Sequence, residues 1–433
     1  MAMVVKNNMS AIDTLNTLNK NTNAFKKSLE KVSSGMKINS AADDASGYAI
    51  SERMRVQIRS LDQANQNAQN GGSMMKVAEG AVSSTVEILK TLKEKAVSAA
   101  NDTNTDADRA TIQKELDQSI DQINDNANVT FNGQYLVDGS HNRKVTQTTT
   151  HLTNQSLSTA QDETTALTAL KARNGDSLNI HSTDTVTISW VVDGKTHTSS
   201  MQVGTGTTLN NAINTLTSGA LTVKSNTSLI GIDGSKNNVY TASGEKAITL
   251  QSKTSGIDGQ VAGFTMYITD NKGNVNKSAN ASLDAFSESI RAENGSEDNS
   301  IVLQIGTKAA QSINVGLTDM KATALGLQGK DGSTLSVGNQ EKANAAINAL
   351  DAAIQKALDQ QTTIGAVESR LEYTQSNLTT ASENVTSAES VIRDADMAKE
   401  MTNYTKNNVL LQAAQSMLSQ ANQSSSNVLS LLQ

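Results

Sequence analysis

Apolar residues recur every seven positions along two long stretches near the ends of the chain. The first stripe consists of Met54, Leu61, Ala68, Met75, Val82, Leu89 and Ala96. The second consists of Leu371, Leu378, Val385 and Ile392, with the small residues Thr374, Ala381, Ala388 and Ala395 three positions after each. Such a repeat predicts long helices whose stripes are buried against a partner helix. Since neither stripe can be buried alone, we predict that the two ends pack together as an antiparallel coiled-coil rod.

A shorter amphipathic segment lies outside each stripe. Its apolar positions are Leu18, Phe25, Leu29 and Val32 near the N-terminus, and Tyr404, Leu411, Leu418, Val428 and Leu432 near the C-terminus. Thin helices of this kind bury little in a monomer. We therefore expect these two segments to pair with each other and to be disordered until they associate with further copies of the chain.

Two breaks separate the helical segments of the N-terminal part. Gly35 suits the end of one helix, and Asp43 or Asp44 suits the N-cap of the next. The dipeptide at 132–133, Asn-Gly, is a hairpin signal. It follows a further helical pattern formed by Ile112, Leu116, Ile120 and Ile123.

The middle of the chain, residues 141–297, has a different pattern. It is rich in threonine, serine, asparagine and glycine, and it contains alternating runs such as TVTISWVV, KAITLQS and AGFTMYIT. These runs predict strands, and the Asp193-Gly194 pair predicts a tight turn after the first of them. A further hairpin is predicted at 300–316, before the chain returns to helix. The fold class is thus mainly α with a β-rich insertion, and we expect the variable β domain to project from the rod.

Composition supports an elongated molecule without a thick core. Of the 433 residues only 36% are hydrophobic and 3% aromatic, and there is neither proline nor cysteine. The absence of proline is compatible with long uninterrupted helices. A net charge of −7 argues against binding to nucleic acid. No apolar run is long enough to span a membrane, and the first residues lack the apolar core of a cleaved secretory signal. If the protein leaves the cell, we therefore expect it to use a dedicated route.

Candidate chemistry is sparse. The four histidines, His141, His151, His181 and His197, lie in the middle region without metal-ligand spacing, and we interpret them as exposed. The carboxylate pairs Asp43-Asp44 and Asp394-Asp396 are explained by helix capping. We therefore expect no enzymatic activity, no cofactor and no bound metal.

Motifs at both ends resemble those of bacterial flagellins. The run SSGMKINSAADDASGYAISERMRVQI at 33–58 is similar to the N-terminal signature of that family. VIRDADMAKEM at 391–401 and SQANQSSSNVLSLLQ at 419–433 are similar to its C-terminal signature. Together with the segment LQIGTKAAQSINVGLTDMKATALGL, the resemblance covers roughly 1–140 and 298–433.

The resemblance implies a structural subunit that polymerises into the extracellular filament for swimming motility. It implies three domains: terminal helices at 1–44 and 391–433 in the inner filament core, a helical rod domain with a β-hairpin at 45–140 and 298–390, and a surface-exposed domain at 141–297. It also implies export by the flagellar type III system and self-association into a helical homopolymer. The expected partners are an export chaperone on the C-terminal helix, about 391–433, and the filament cap and hook-associated proteins.

The resemblance further implies recognition by the innate receptor Toll-like receptor 5 through the helix at 89–101. The candidate contacts are Lys90, Thr91, Glu94, Lys95 and Glu115. Glu94 and Glu115 match the recognised surface. Thr91 stands where the recognised pattern has arginine, and Lys95 where it has leucine, so we expect weakened signalling.

Two alternative functions follow from the same residues. A hook–filament junction protein shares the terminal pattern but does not form long filaments. An enzyme or carbohydrate-binding domain at 141–297 is the other alternative, although no HExxH pair supports a metallopeptidase there.

Overall fold

The computed structural model describes residues 8–226 and 228–431 of the chain. Its α-helices are α1 (Met9–Ser34), α2 (Ala45–Ala99), α3 (Asp106–Ala127), α4 (Leu209–Leu216), α5 (Lys277–Leu283), α6 (Gln340–Arg393) and α7 (Met397–Leu431). Its strands are β1 (Thr130–Phe131), β2 (Gln134–Tyr135), β3 (His151–Asn154), β4 (Thr185–Val192), β5 (Lys195–Gln202), β6 (Leu221–Asn226), β7 (Leu229–Ile232), β8 (Asn238–Tyr240), β9 (Ala247–Ser252), β10 (Val261–Thr269), β11 (Phe286–Ile290), β12 (Ile301–Gln304) and β13 (Ser312–Val315).

The chain divides into two compact units. Unit 1 comprises Met1–Ala68, Gln304–Gln311 and Tyr373–Gln433. Unit 2 comprises Gln69–Leu303 and Ser312–Glu372. The long helices α2 and α6 each contribute residues to both units.

Within unit 1, α2 and α6 run antiparallel. Arg393 at the end of α6 pairs with Glu52 near the start of α2, with 2.6 Å between Nη1 and Oε1. Further along α2, Asp62 accepts a hydrogen bond from Ser382 Oγ at 3.0 Å. From the first contact to the second, the residue on α2 lies further along the chain and the residue on α6 lies further back, which defines the antiparallel pairing.

In unit 2 the same two helices pack with α3. The seven-residue stripe of α2 is fully buried at Met75, Val82 and Leu89. Lys93 on α2 lies 2.5 Å from Asp351 on α6. The predicted helix around Ile120 is α3, and it begins with a capping box between Thr105 and Asp108. Its residues Leu116, Ile120 and Ile123 are fully buried.

The three hairpins predicted from sequence are present. Strands β1 and β2 pair across Asn132-Gly133, and β4 and β5 pair across Asp193-Gly194. All four turn residues have positive φ, between 50° and 79°, as a two-residue hairpin with the sheet's twist requires. Strands β12 and β13 form the third hairpin.

A short antiparallel ladder joins the β-rich region to the rest of unit 2. The backbone N–H of Asn299 donates to the carbonyl of Asn142 at 2.9 Å. Val145 and Ser296 exchange two backbone hydrogen bonds of 3.0 Å. The chain therefore enters and leaves the β-rich region at neighbouring points.

The β-rich region is built on two antiparallel sheets, in the strand orders β10-β4-β5 and β11-β3-β9-β6. A shared hydrophobic cluster includes Trp190, Phe264 and Leu250, and it also takes in one face of α4. That face carries Leu209, Ala212, Ile213 and Leu216, all buried. Phe264 meets Phe286 edge to face at a centroid distance of 5.1 Å. The region therefore has its own core.

The predicted fold class is confirmed: long helices form both ends, and a β-rich region lies between them. The sequence-based description of the middle as strands and loops was incomplete, since α4 and α5 were not predicted. Both helices begin with a side-chain cap, from Thr208 and Asn276 respectively.

Candidate assembly surface

Caps fix where α1, α2 and α7 begin or end. Gly35 has a left-handed backbone with φ 72°, and its N–H donates to Lys31 O, which ends α1 as predicted. Asp44 Oδ1 accepts hydrogen bonds of 3.0 Å from the N–H groups of Ser46 and Gly47, so Asp44 caps α2. Asp396 caps α7 by accepting from Ala398 and Lys399.

Arg393 joins the connector between α1 and α2 to the end of α6. Its side chain is only 6% exposed, and its guanidinium bonds Glu52 and lies 5.4 Å from the centre of the Tyr48 ring. The Arg393 carbonyl accepts from Lys37 N at 2.8 Å, and Ala395 N donates to Gly35 O at 2.9 Å. The bond from Arg393 holds the pKa of the Glu52 carboxyl below its usual range. This Arg393 cluster was not predicted, because its members are far apart in sequence.

The two terminal helices pair with each other, as predicted, and they run antiparallel. Phe25 and Tyr404 lie ring to ring with 5.1 Å between centroids. Asn407 Nδ2 donates to Ser28 Oγ at 2.7 Å, and Asn21 Nδ2 donates to Leu410 O at 3.2 Å. Polar bonds therefore contribute to this pairing beside the apolar contacts.

The α1–α7 pair buries little of its own surface. Of the described side chains, only Ser28 is buried on α1 and only Ala414 on α7. The predicted polymerisation positions Leu18, Phe25, Val32, Tyr404, Leu411 and Leu418 are half-buried, and Leu29 is 45% exposed. The side chain of Val428 and the whole of Leu432 lie outside the described part of the chain.

Large apolar side chains on the two helices are exposed instead. The nine described ones are Met9, Ile12, Leu15 and Leu29 on α1, and Met397, Met401, Val409, Leu410 and Met417 on α7. Leu410 and Met417, seven residues apart, lie on one face of α7, and Met397 and Met401 lie on another face. Large apolar side chains are therefore exposed on more than one face of α7.

The predicted rod-packing residues fall into two groups. Leu61, Met75, Val82, Leu89, Leu371 and Leu378 are buried. Met54, Val385 and Ile392 are half-buried. All three of the half-buried residues belong to unit 1. Burial along the two stripes is thus less complete in unit 1 than in unit 2.

The candidate receptor contacts form an exposed patch of unit 2. Lys90, Thr91, Glu94 and Glu115 are exposed. Lys95 is partly exposed and pairs with Glu115, with 2.9 Å between Nζ and Oε2. Lys90 pairs with Glu87 at 2.7 Å. The structure therefore brings together two candidates, Lys95 and Glu115, that the sequence did not connect.

One interpretation of the histidines was wrong. His151 is buried in β3, between β11 and β9, because both faces of this sheet are covered at that strand. Burial lowers the pKa of His151 to about 4, and nearby Lys224 adds to the effect. His197 is exposed, as predicted, although its ring stacks on Trp190 at 5.3 Å. Within the described ranges no group of acidic residues or histidines could hold a metal ion.

No helix in the described part of the chain is long and apolar enough to cross a membrane.

The net charge is unevenly distributed between the two units. Unit 1 contains 13 basic and 11 acidic residues, whereas unit 2 contains 23 basic and 32 acidic residues. Unit 1, which carries the exposed apolar surface, is therefore close to neutral.

Comparison with known proteins matches both ends of the chain to one family. The family model described as bacterial flagellin N-terminal helical region matches residues 5–142. The model described as bacterial flagellin C-terminal helical region matches residues 347–432. Together they cover more than half of the chain.

Similar proteins match over nearly the full length. A flagellin of Clostridium tyrobutyricum is 35% identical and spans 97% of this chain and 99% of that relative. A flagellin of Bacillus subtilis is 30% identical, with 99% of this chain and all of the relative covered. A flagellar filament 33 kDa core protein of Treponema phagedenis is 29% identical over 99% of this chain and all of the relative.

Proposed function

The chain belongs to the bacterial flagellin family and is a structural subunit of the flagellar filament, and from that premise we propose that α1 and α7 together form its main polymerisation surface. The alternative of a hook–filament junction protein is not favoured, because the full-length matches are flagellins and filament core proteins. The subunit resides in the filament, an extracellular appendage.

The observation that supports this surface is the exposure of nine large apolar side chains on a pair of helices that buries almost nothing. Water contact with these side chains is unfavourable, and neighbouring copies can remove it. Unit 1 is nearly neutral, so repulsion between like charges does not oppose the packing of one copy against the next.

The size of this surface favours growth from a seed. Covering the exposed part of one such side chain contributes on the order of 1 kcal/mol. The nine together contribute roughly 10 kcal/mol, which is similar to the cost of about 4–15 kcal/mol for immobilising a free subunit. A single pairwise contact is then marginal. A subunit that meets several neighbours at the end of a filament is held firmly.

A matched pair of substitutions tests the proposal. Val409 on α7 is 59% exposed, and Val275 in unit 2 is 56% exposed. Val409→Glu should slow elongation from sheared filament seeds by at least about tenfold, because it places a charge in the buried contact. Val275→Glu should elongate seeds at the wild-type rate. Equal elongation rates for the two variants would show that α7 is not part of the polymerisation surface.

We also propose that the chain is exported by the flagellar type III system and that a chaperone covers α7 beforehand. The support is the exposed apolar face of α7 together with the family. A purified flagellin export chaperone should bind the full chain and fail to bind a chain that lacks residues 391–433. Binding that survives this truncation would place the chaperone elsewhere. The cap and hook-associated proteins are proposed as partners at the same surface.

Recognition by Toll-like receptor 5 is proposed to be weakened. Lys95 is engaged with Glu115 and brings a charge to the patch, and Thr91 offers a short hydroxyl that bonds its own helix at Glu87 O. Thr91→Arg combined with Lys95→Leu should raise receptor signalling by about tenfold or more. Unchanged signalling in a reporter cell line would show that this patch does not determine recognition by the receptor.

A further inference from the structure

The methionines of this chain are distributed unevenly between buried and exposed positions. Among the described residues, the methionines that are exposed all lie on the terminal helices. They are Met9, 60% exposed, on α1 and Met397, Met401 and Met417, which are 43%, 46% and 62% exposed, on α7. In unit 2, Met74, Met75, Met266 and Met320 are at most 6% exposed, and Met201 is half-buried.

Exposure decides which thioether an oxidant reaches first. The sequence contains no cysteine, so methionine Sδ atoms are the sulfur atoms available to a peroxide. A peroxide transfers one oxygen to Sδ: the S–O bond forms, the O–O bond breaks, and the second oxygen leaves as water. The side chain changes from a flexible apolar group to a polar sulfoxide.

A sulfoxide on α7 opposes assembly. Met401 and Met417 belong to the apolar surface that neighbouring copies cover in the proposed function. Burying a sulfoxide there without a hydrogen-bond partner is unfavourable. The core of unit 2 is not affected, because Met75, Met266 and Met320 are at most 1% exposed.

We propose that Met397, Met401 and Met417 form an oxidation site through which peroxide prevents a free subunit from joining the filament. This inference rests on the proposed function, since it requires that α7 is covered on assembly. The same three thioethers are shielded in a subunit that has already been incorporated. Peroxide therefore acts on unassembled subunits and spares the finished filament.

The test treats the full-length monomer with hydrogen peroxide and follows sulfoxide at each methionine by mass spectrometry. We expect sulfoxide at Met401 and Met417 well before Met75 or Met266. Elongation from untreated seeds should fall by at least about tenfold. The melting transition of unit 2 should stay unchanged. Filaments treated in the same way should gain much less sulfoxide on α7.

A matched pair of variants assigns the effect to α7. The triple variant Met397→Leu/Met401→Leu/Met417→Leu keeps the apolar volume and should elongate at nearly the same rate before and after peroxide. The control Met201→Leu, in β5, should remain as sensitive as the wild-type chain. A methionine sulfoxide reductase should restore elongation by the treated wild-type chain, which provides a second readout if the triple variant assembles poorly.

The outcomes separate the two claims. An untreated chain that does not elongate seeds contradicts the proposed function itself. An untreated chain that elongates, together with an oxidised chain that elongates equally well despite sulfoxide at Met401 and Met417, overturns the oxidation site alone. Sulfoxide forming equally fast at buried and exposed methionines, or an α7 triple variant as sensitive to peroxide as the wild-type chain, also overturns it.

Discussion

The α1–α7 pair and the β-rich region of unit 2 differ in how far their apolar side chains are buried. In the β-rich region, strands β4, β9 and β10 place nearly every residue out of contact with water, and α4 adds a four-residue apolar face to the same core. Among the described residues, the two terminal helices keep nine large apolar side chains exposed. The β-rich region can therefore be stable within one chain, whereas in the function proposed above the helix pair gains much of its stabilisation only from other copies.

The contrast between these two regions indicates that one chain can separate folding from assembly. A region with its own core keeps its structure whether or not neighbours are present. A helix pair without a core depends on the concentration of its partners.

Deletions should give the largest contrast. Removing residues 391–433 takes away α7 and should abolish filaments completely. Removing 141–297 should leave filaments intact, because the ladder between Asn142 and Asn299 shows that the chain enters and leaves this region at neighbouring points. Electron microscopy after seeding distinguishes the two. Filaments from the first deletion and none from the second would reverse the roles of the two regions.

Truncating a leucine should act on folding in one region and on assembly in the other. Leu116→Ala removes a fully buried side chain of unit 2 and should lower the free energy of unfolding by about 3 kcal/mol. Leu15 on α1 is 46% exposed, so Leu15→Ala should cost the monomer less than about 0.5 kcal/mol. It should nevertheless slow elongation from seeds. Urea unfolding of the monomer and elongation rates measure the two effects, and a large loss of monomer stability from Leu15→Ala would contradict the contrast.

Replacing Arg393 tests whether part of unit 1 is ordered in the monomer, without neighbouring copies. Arg393→Gln should cost about 2 kcal/mol locally, because the side chain is buried and bonds Glu52. Arg55→Gln is the control: Arg55 also pairs with Glu52 but is 42% exposed, so the loss should stay below about 0.5 kcal/mol. Hydrogen exchange at the Lys37 and Ala395 amides, which bond across this cluster, reports the difference. Equal protection in both variants would show that the Arg393 cluster does not hold the connector.

Acid should weaken unit 2 through His151. Its pKa is about 4 in the folded chain, against an ordinary value of 6.5. As the pH falls through 6.5, His151 binds a proton in the unfolded chain but stays neutral in the folded chain. The free energy of unfolding therefore falls between about pH 6.5 and about pH 4. At pH 5 the loss is about 2 kcal/mol. The loss should appear when the free energy of unfolding is measured as a function of pH for the wild-type chain and for His151→Gln. The same pH dependence in both chains would contradict it. Unit 1 contains no histidine and lacks this response.

The long helices and hairpins could be predicted from sequence because their signals are local. A stripe such as Met75, Val82 and Leu89 needs only its own spacing to predict a helix. The pairs Asn132-Gly133 and Asp193-Gly194 identify two turns, since few residues accept positive φ. The short helix α4 was missed although its signal was present: Thr208 is a cap, and the apolar spacing that follows it is helical.

The remaining features depend on contacts that spacing does not encode. Arg393 meets Glu52 only after the two ends of the chain have come together, and Lys95 meets Glu115 only after α2 and α3 have packed. His151 lies in a run that looks polar, yet its strand is the interior member of a covered sheet. The division of the chain into three domains, and the polymerisation and receptor residues, stay predictions.

Hydrogen exchange of the whole chain, measured on the monomer and on the filament, shows whether α1 and α7 depend on neighbouring copies for their stability. The backbone amides of α1 and α7 should exchange rapidly in the monomer and become strongly protected in the filament. The amides of β4, β9 and β10 should be equally protected in both. Terminal helices that are already fully protected in the monomer would contradict the account, because they would then not need neighbouring copies for their stability.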